Sequence, residues 1–314
     1  MRKNTHIHDS TNTFAPERRN SPVSNLPPVN TAPHGISFVI PCYREPHEVL
    51  QRTIRGIRNG MLNHPDIPFE IIVVDDGSGN IQYSTVDAVD RLLVHPVNRG
   101  YGGSLKTGIA AARHPWIAIT DADDTYPNEE FCRLFEQTPH YQMVIGARPW
   151  GSISPIRRLP KRLITRLASF IAGKSIPDLN SGMRVFHREI YETRRNVFPD
   201  AFSFSSTLTM VALTQYFNTV FVPITYGKRT GKSKIRAFRD TTRFTIQILR
   251  LALYFRPLRF FIPLSFVLFL LAAVRGVRDV YVSNQFGGLC LVLFFMSFQV
   301  FFFGLIAEII NKKD

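Results

Sequence analysis

The sequence predicts an α/β fold, a mostly parallel sheet flanked by helices, with a C-terminal amphipathic helix and two transmembrane helices behind it. Three observations predict it. Short β-branched runs alternate with helical patterns from Gly35 onward, these runs are apolar throughout rather than on one face, and two long uncharged stretches lie near the C-terminus.

Residues 1–34 are rich in Ser, Thr, Asn, Pro and His and hold no apolar run of seven or more. They are expected to form a disordered tail, not a signal peptide. The first strand is ISFVIP, followed by a helix from His47 to about Asn63. Next come EIIVVDD with a short helical stretch, and RLLVHP with a helix near Ser104–Arg113. WIAITDADD precedes a helix over Glu129–Gln137, and YQMVIGAR closes the series. Ligands of parallel sheets gather at the carboxyl ends of the strands. The clusters PCYREP, DDGSGN and DADDTYP, which end the first, second and fourth runs, are therefore expected along one edge.

A chain of 314 residues, 45% hydrophobic and 20% charged, can bury a sizeable core. Cys42, Cys132 and Cys290 follow no ligand or disulfide spacing, which speaks against a stapled secreted fold and a cysteine zinc site. The net charge of +14 is concentrated: residues 148–191 carry nine Lys/Arg against two acids, and 228–259 carry ten against one. Localised positive charge calls for an anionic partner. Nucleic acid is not expected, because no nucleic-acid module is present and the basic residues adjoin the apolar segments.

Phe260–Val274 is an uncharged run of fifteen residues. At ~1.5 Å per residue it reaches roughly 22 Å, short of a hydrocarbon core of about 30 Å, so it spans only by recruiting its flanks. Phe286–Ile306 is long enough unaided. Lys and Arg before the first segment and after the second favour both ends on the cytoplasmic side, against which Arg275 and Arg278 in the expected connecting loop count. Thr241–Phe255 sets apolar side chains at helical spacing beside Arg243 and Arg250, the pattern of a helix lying on a membrane surface.

The stretch ITDADDTYP crowds three carboxylates after an apolar run. If the strand continues through it, Asp121 and Asp123 share one side and Asp124 faces away. Converging carboxylates suit Mg²⁺ or Mn²⁺, which complete their shells with water and substrate phosphate; a solvated acidic turn is the competing reading. Asp75 or Asp76 can accept hydrogen bonds from a base or ribose. Tyr43 offers an aromatic face to a nucleobase, and Glu45 is a further acceptor. The run NRGYGGSLKTG, Asn98 to Gly108, is a glycine-rich loop entering a helix, where backbone can approach a ligand closely. Neither it nor TGKS at Thr230–Ser233 has the glycine spacing of a dinucleotide or P-loop motif.

In that order, IPCYREP, VVDDGSGN, NRGYGGSLKTG, DADDTYP, IGAR and DLNSGMRVF resemble the family 2 glycosyltransferases of GT-A fold. With KRTGKSK and the C-terminal hairpin, the resemblance narrows to the dolichyl-phosphate mannose synthase and bactoprenyl glucosyltransferase group. With the compositional reading it divides the chain into a disordered tail at 1–34, an implied GT-A domain at 35–235, a membrane-surface helix at 236–258 and a transmembrane hairpin at 259–310. Pro41, Tyr43 and Glu45 match the family's nucleotide edge, and Asp75 and Asp76 its base and ribose pair. Asp121, Ala122 and Asp123 match its DxD element, with Asp121 and Asp123 on the metal and Asp123 the more direct ligand. Asp123 and Arg148 are the implied catalytic residues, both also touching the nucleotide-sugar. Lys161, Arg162, Thr165, Arg229 and Lys234 are placed toward the acceptor phosphate. Arg44, Thr125 and Lys161 depart from the family's usual Asn, Gln and Arg.

The resemblance implies a hexose moving from UDP- or GDP-sugar to a polyprenyl phosphate, with inversion, in an integral membrane protein whose catalytic domain faces the cytoplasm. The implied partners are the nucleotide-sugar donor, the acceptor and the lipid bilayer, with a homo-oligomer left open. A phosphate monoester is mostly dianionic at neutral pH, its second pKa being about 6, so it needs no general base. The alternatives are transfer to a hydroxyl acceptor, with Asp124, Asp178 or Asp200 as base, and a non-enzymatic membrane scaffold that binds nucleotide-sugars.

Overall fold

The computed structural model describes residues 35–62, 64–79, 87–149, 155–227, 246, 249–250 and 253–311, with backbone alone at 155–161 and 311. The predicted tail, Arg229, Lys234 and most of the predicted surface helix 236–258 lie outside these residues.

Seven strands form one mixed sheet. They are β1 (Ile36–Cys42), β2 (Phe69–Asp75), β3 (Arg91–Val94), β4 (Trp116–Ile119), β5 (Met143–Ala147), β6 (Arg184–His187) and β7 (Thr219–Pro223), in the order β3-β2-β1-β4-β6-β5-β7. β1 lies parallel to both β2 and β4, pairing Cys42 with Asp75 and Val39 with Ile119. The chain order reverses on either side of β1, which opens a crevice at the carboxyl ends of β1, β2 and β4. β6 runs antiparallel to both β4 and β5, whereas β5 and β7 are parallel. A reversed strand has consequences for the edge. It brings its entry segment, Asp178–Met183, to the side where the other strands deliver their exits.

Both faces of the sheet are covered, which is why the strands carry no polar stripe. On one face Phe38 and Ile40 meet Leu50, Ile54 and Ile57 of α1 (His47–Met61), together with Phe131 and Phe135 of α3 (Phe131–Phe135). Phe38 and Phe131 touch edge to face at 5.1 Å. On the other face Val39, Ile72 and Val74 meet Leu105 and Ile109 of α2 (Tyr101–Ala111), with Phe204 and Leu208 of α6 (Phe204–Thr214). Each of these side chains contributes roughly 1.5–3 kcal/mol by leaving water. α4 (Pro155–Ala172) packs through Ala168 and Ile171 on Met210 and Leu213, and α5 (Glu189–Glu192) is a single turn after β6.

The C-terminal part is a helical hairpin, α7 (Pro257–Ser283) and α8 (Gly288–Asn311). Both helices are long and apolar enough to cross a membrane, at mean hydropathies of 2.2 and 2.5. α7 recruits both flanks of its uncharged run: Pro257 starts it, and Asn284 ends it in a left-handed conformation at φ 51°. Arg275 and Arg278 are thus in the helix and not in the connecting loop, and Arg275 holds Asp279 at 3.0 Å one turn on. Small residues let the two helices close. A Cβ on Gly276 would meet Cys290 Sγ at 2.9 Å, and one on Gly304 would meet Phe261 at 2.7 Å.

Candidate active site

At the exit of β1, Pro41, Tyr43 and Glu45 are half-buried. Arg44 takes a left-handed backbone, φ 52°, and its guanidinium lies 5.1 Å from the centre of the Tyr43 ring. Its amide donates to Ser78 Oγ at 2.8 Å, while the Ser78 amide donates to Asp75 Oδ1 at 3.1 Å. The exits of β1 and β2 are thereby tied into one rim, with the Asp76 amide donating to Cys42 O at 2.8 Å.

Asp75 and Asp76 are both buried, yet they do different work. Both oxygens of Asp76 accept from the neighbouring loop: Oδ1 from the Arg99 amide and Oδ2 from the Gly100 amide, each at 2.8 Å. His95 Nδ1 adds a third contact at 2.8 Å, and its Nε2 lies 2.9 Å from Thr107 Oγ1. This carboxylate holds the glycine-rich loop in place.

The glycines of that loop serve close packing of the chain on itself, where the sequence suggested close approach of a ligand. The amides of Gly102 and Gly103 donate to Asp200 O at 2.9 and 3.3 Å, so the chain itself caps the N-terminus of α2. A Cβ on Gly100 or Gly102 would run into the backbone of Pro199 and Asp200. Gly108 is small because α2 packs there on Val39 and Val74.

β4 also departs from its predicted course. The strand ends at Ile119 and residues 122–124 turn, so strand alternation does not set the directions of the three carboxylates. Thr120 Oγ1 donates to Asn128 Oδ1 at 2.7 Å, anchoring the turn. Asp124, at φ 55°, pairs with Arg52 of α1 at 2.8 Å on the outer side. Asp121 Oδ1 accepts from the Tyr101 hydroxyl at 3.1 Å, and Asp123 Oδ1 accepts from Thr125 Oγ1 at 2.6 Å. Ala122 is buried between them in sequence. Gly182, delivered by the reversed β6, faces Asp121 so closely that a Cβ would sit 2.8–3.0 Å from the carboxylate. The Gly182 amide donates to the Tyr126 hydroxyl at 2.7 Å.

These donors fit a hard divalent cation. Asp121 and Asp123 offer hard oxygen donors: Asp121 accepts from the Tyr101 hydroxyl, Asp123 from the Thr125 hydroxyl and, at 3.3 Å, from the Thr125 amide, and Gly182 sets no side chain against Asp121. Among the described residues no group of three or more His, Cys, Asp or Glu converges to hold a metal. The chain would supply two carboxylates, leaving the rest of the shell to water and a phosphate-bearing ligand.

Beyond β5, Arg148 grips Asp178 side-on, Nε to Oδ2 at 2.6 Å and Nη2 to Oδ1 at 3.0 Å. Burial alone would lower the Arg148 pKa, but Tyr126 and Asp178 outweigh it and hold the group well above its usual value. Arg184 is completely buried and donates to Ser181 O, to Ser205 O at 2.8 Å and to Thr209 Oγ1 at 3.2 Å. Burial pulls its pKa down to about 10. Burial likewise raises the Tyr101 phenol well above its ordinary value, with Asp121 adding to the effect, so Tyr101 is a hydrogen-bond donor at neutral pH.

Residues 37–195, half of the chain, match the model "Glycosyl transferase family 2", and residues 256–312 match "GtrB C-terminal hairpin". The chain belongs to glycosyl transferase family 2. It is 27% identical over 216 residues to the low-salt glycan biosynthesis hexosyltransferase Agl6 of Haloferax volcanii, covering 66% of this chain and 51% of that one. A dolichyl-phosphate beta-glucosyltransferase, ALG5C of Trichomonas vaginalis, is 25% identical across 70% of this chain and 71% of its own. An undecaprenyl-phosphate 4-deoxy-4-formamido-L-arabinose transferase of Pseudomonas fluorescens is 32% identical across 52% and 51%. This chain therefore spans about half the length of the first and third of these relatives. Glucosyl-3-phosphoglycerate synthase of Mycobacterium tuberculosis, crystallised with Mn²⁺, UDP and glucosyl-3-phosphoglycerate, shares the fold at a TM-score of 0.53 and 18% identity, over 70% of this chain and 79% of that one.

Of the residues assigned to an acceptor in this glycosyltransferase, Lys161, Arg162 and Thr165 lie on α4. Arg162 is exposed, whereas Thr165 is buried and its hydroxyl has no hydrogen-bond partner among the described residues. Four residues of the site were not singled out by the sequence for their positions here: Tyr101, His95, Gly182 and Arg184. The SGMR segment signalled Gly182 and Arg184 and the NRGYGGSLKTG run contained Tyr101, both through their order among the motifs, while the proximity of Gly182 to Asp121 comes from the reversal of β6.

Proposed function

We propose that this glycosyltransferase moves a hexose from UDP- or GDP-sugar to a polyprenyl phosphate at the cytoplasmic face of a membrane, with Mg²⁺ or Mn²⁺ held by Asp121 and Asp123. The observation that carries the reading is the fate of the three carboxylates a hydroxyl acceptor would need as base. Asp124 is paired with Arg52, Asp178 with Arg148 and Asp200 with Lys106, at 2.8, 2.6 and 2.7 Å. A phosphate acceptor brings its own nucleophilic oxygen and asks for no base. Relatives named for dolichyl- and undecaprenyl-phosphate, together with the apolar hairpin, support a lipid-borne phosphate.

In this reading a phosphate oxygen attacks the anomeric carbon as the bond to the nucleoside diphosphate breaks, the departing oxygen keeps the electron pair, and the sugar inverts. The bound cation would neutralise charge on the leaving group. The Asp178 grip uses Nε and Nη2 of Arg148 and turns Nη1 away from that carboxylate, which suits it to steady the donor's developing negative charge. Tyr43 and Asp75 line the nucleotide rim, with Pro41 and Glu45 beside them, while Asp76 holds that rim through the loop. Lys161, Arg162, Thr165, Arg229 and Lys234 receive the acceptor phosphate.

Membranes containing the protein, supplied with labelled nucleotide-sugars, polyprenyl phosphate and Mg²⁺ or Mn²⁺, should yield a labelled, solvent-extractable lipid from one donor. Label that enters only hydroxyl acceptors, or transfer that chelator leaves untouched, would overturn the proposal.

A further inference from the structure

We propose that Arg259 is a positioning residue for the acceptor, a clamp that sets the basic helix α4 against the entrance of the first hairpin helix. The inference rests on the polyprenyl-phosphate reading. Arg259 stands in the first turn of α7, two residues after Pro257. Its Nη1 donates to the carbonyls of Phe170 and Ile171, both at 3.1 Å. These carbonyls belong to the last turn of α4, where acceptors lack intrahelical partners and the helix dipole is negative. A guanidinium placed there makes charge-assisted bonds.

Gly173 fits the same contact. It ends α4 at φ 70° and gives its amide to Ser169 O at 2.8 Å, while a Cβ at this position would collide with the Arg259 guanidinium. Neighbouring residues lock the junction further. Arg256 lies 5.0 Å from the Tyr216 ring, Arg194 lies 5.9 Å from the Tyr254 ring, and Phe255 packs with Ile171 and Leu213. The start of α7 is thus fastened to the sheet domain through the end of α4.

α4 contains no acid, and its basic residues Arg157, Arg158, Lys161, Arg162 and Arg166 all precede the clamped end. Arg162 is eight residues from Phe170, about 12 Å along the axis at the usual helical rise. A small rotation at the clamped end therefore moves the phosphate-facing residues by ångströms relative to the bilayer. The acceptor arrives at a height fixed by its lipid, so the clamp governs how well the two meet. The proposed nucleotide rim, built by the exits of β1 and β2, is tied by bonds that involve no residue of this junction, so donor binding is expected not to depend on it.

The test uses the full chain in nanodiscs of phosphatidylcholine alone, which removes general attraction to anionic lipid. Arg259→Ala should raise KM for a long-chain polyprenyl phosphate in the bilayer about tenfold, with donor KM and kcat within about twofold. KM for a short, water-soluble prenyl phosphate should not move. Arg259→Lys, which keeps a donor near the carbonyls, should restore most of the loss, and Gly173→Ala should reproduce the split in a weaker form. An unchanged KM for the bilayer-borne acceptor, or equal losses with both acceptors and a lowered Tm, would overturn the clamp. Wild-type protein that glycosylates neither phosphate acceptor would overturn the functional reading itself.

Discussion

Two aspartate clusters at neighbouring strand ends, Asp75–Asp76 after β2 and Asp121–Asp123 after β4, look alike in sequence and differ in what holds them. Asp76 accepts backbone amides from Arg99 and Gly100 together with His95, donors fixed by the fold. Asp121 accepts from the Tyr101 hydroxyl, and Asp123 from the Thr125 hydroxyl at 2.6 Å with the Thr125 amide at a longer 3.3 Å. Short amide bonds fix both oxygens of Asp76, whereas the shorter contact to Asp123 and the contact to Asp121 come from hydroxyls whose hydrogens can turn away when a cation comes. The difference separates a carboxylate that builds the site from carboxylates that can exchange partners in it.

Substitutions sharpen or break this contrast. Asp76→Ala has the largest expected effect, a loss of about 3–5 kcal/mol in stability, because it strands buried amides and the His95 ring. Thermal denaturation reads it, and a Tm like that of wild type would erase the distinction. Asp123→Asn should keep the Tm, since the amide oxygen still accepts from Thr125, while reducing metal-dependent transfer about a hundredfold. A fall in Tm with little change in turnover would place Asp123 with Asp76. Tyr101→Phe removes one donor to Asp121 and should cost about 1 kcal/mol in stability, together with a change in the Mn²⁺ concentration for half-maximal activity. Asp124→Asn is expected to do least. Its pair with Arg52 has side chains 30% and 51% exposed, so both Tm and turnover should shift by less than about 1 kcal/mol equivalent.

The alternation of strands and helices was legible because covered parallel strands must be apolar throughout, and the carboxyl edge followed from it. The direction of β6 was not. RVFH reads the same whichever way it runs, and only its pairing with β4 and β5 shows that Asp178 and Gly182 arrive at the site. The glycine-rich loop misled for a related reason. Gly100 and Gly102 are small for Pro199 and Asp200, a hundred residues away, and nothing local in NRGYGG announces that neighbour. Asp76 shows the same limit, since its donors at 95, 99 and 100 come from the far side of β3. The DADD cluster follows a strand as expected, and of the two courses the sequence left open, strand or turn, it takes the turn, which apolar periodicity cannot register because Thr120 bonding to Asn128 sets it. In the hairpin the expected recruitment of flanks holds, but Arg275 and Arg278 belong to the helix and not to the connecting loop, because Arg275 and Asp279 satisfy one another one turn apart.

α7 has 27 residues, about 40 Å at the usual rise, against a hydrocarbon slab of about 30 Å. Its surplus ends in Arg275, Arg278 and Asp279, groups that prefer headgroups to acyl chains. A thinner bilayer makes such a rod lean, and a rod fastened at its base carries that lean into whatever it is fastened to. With α7 across a membrane as proposed, bilayer thickness would reach the sheet domain through the slope of a single helix.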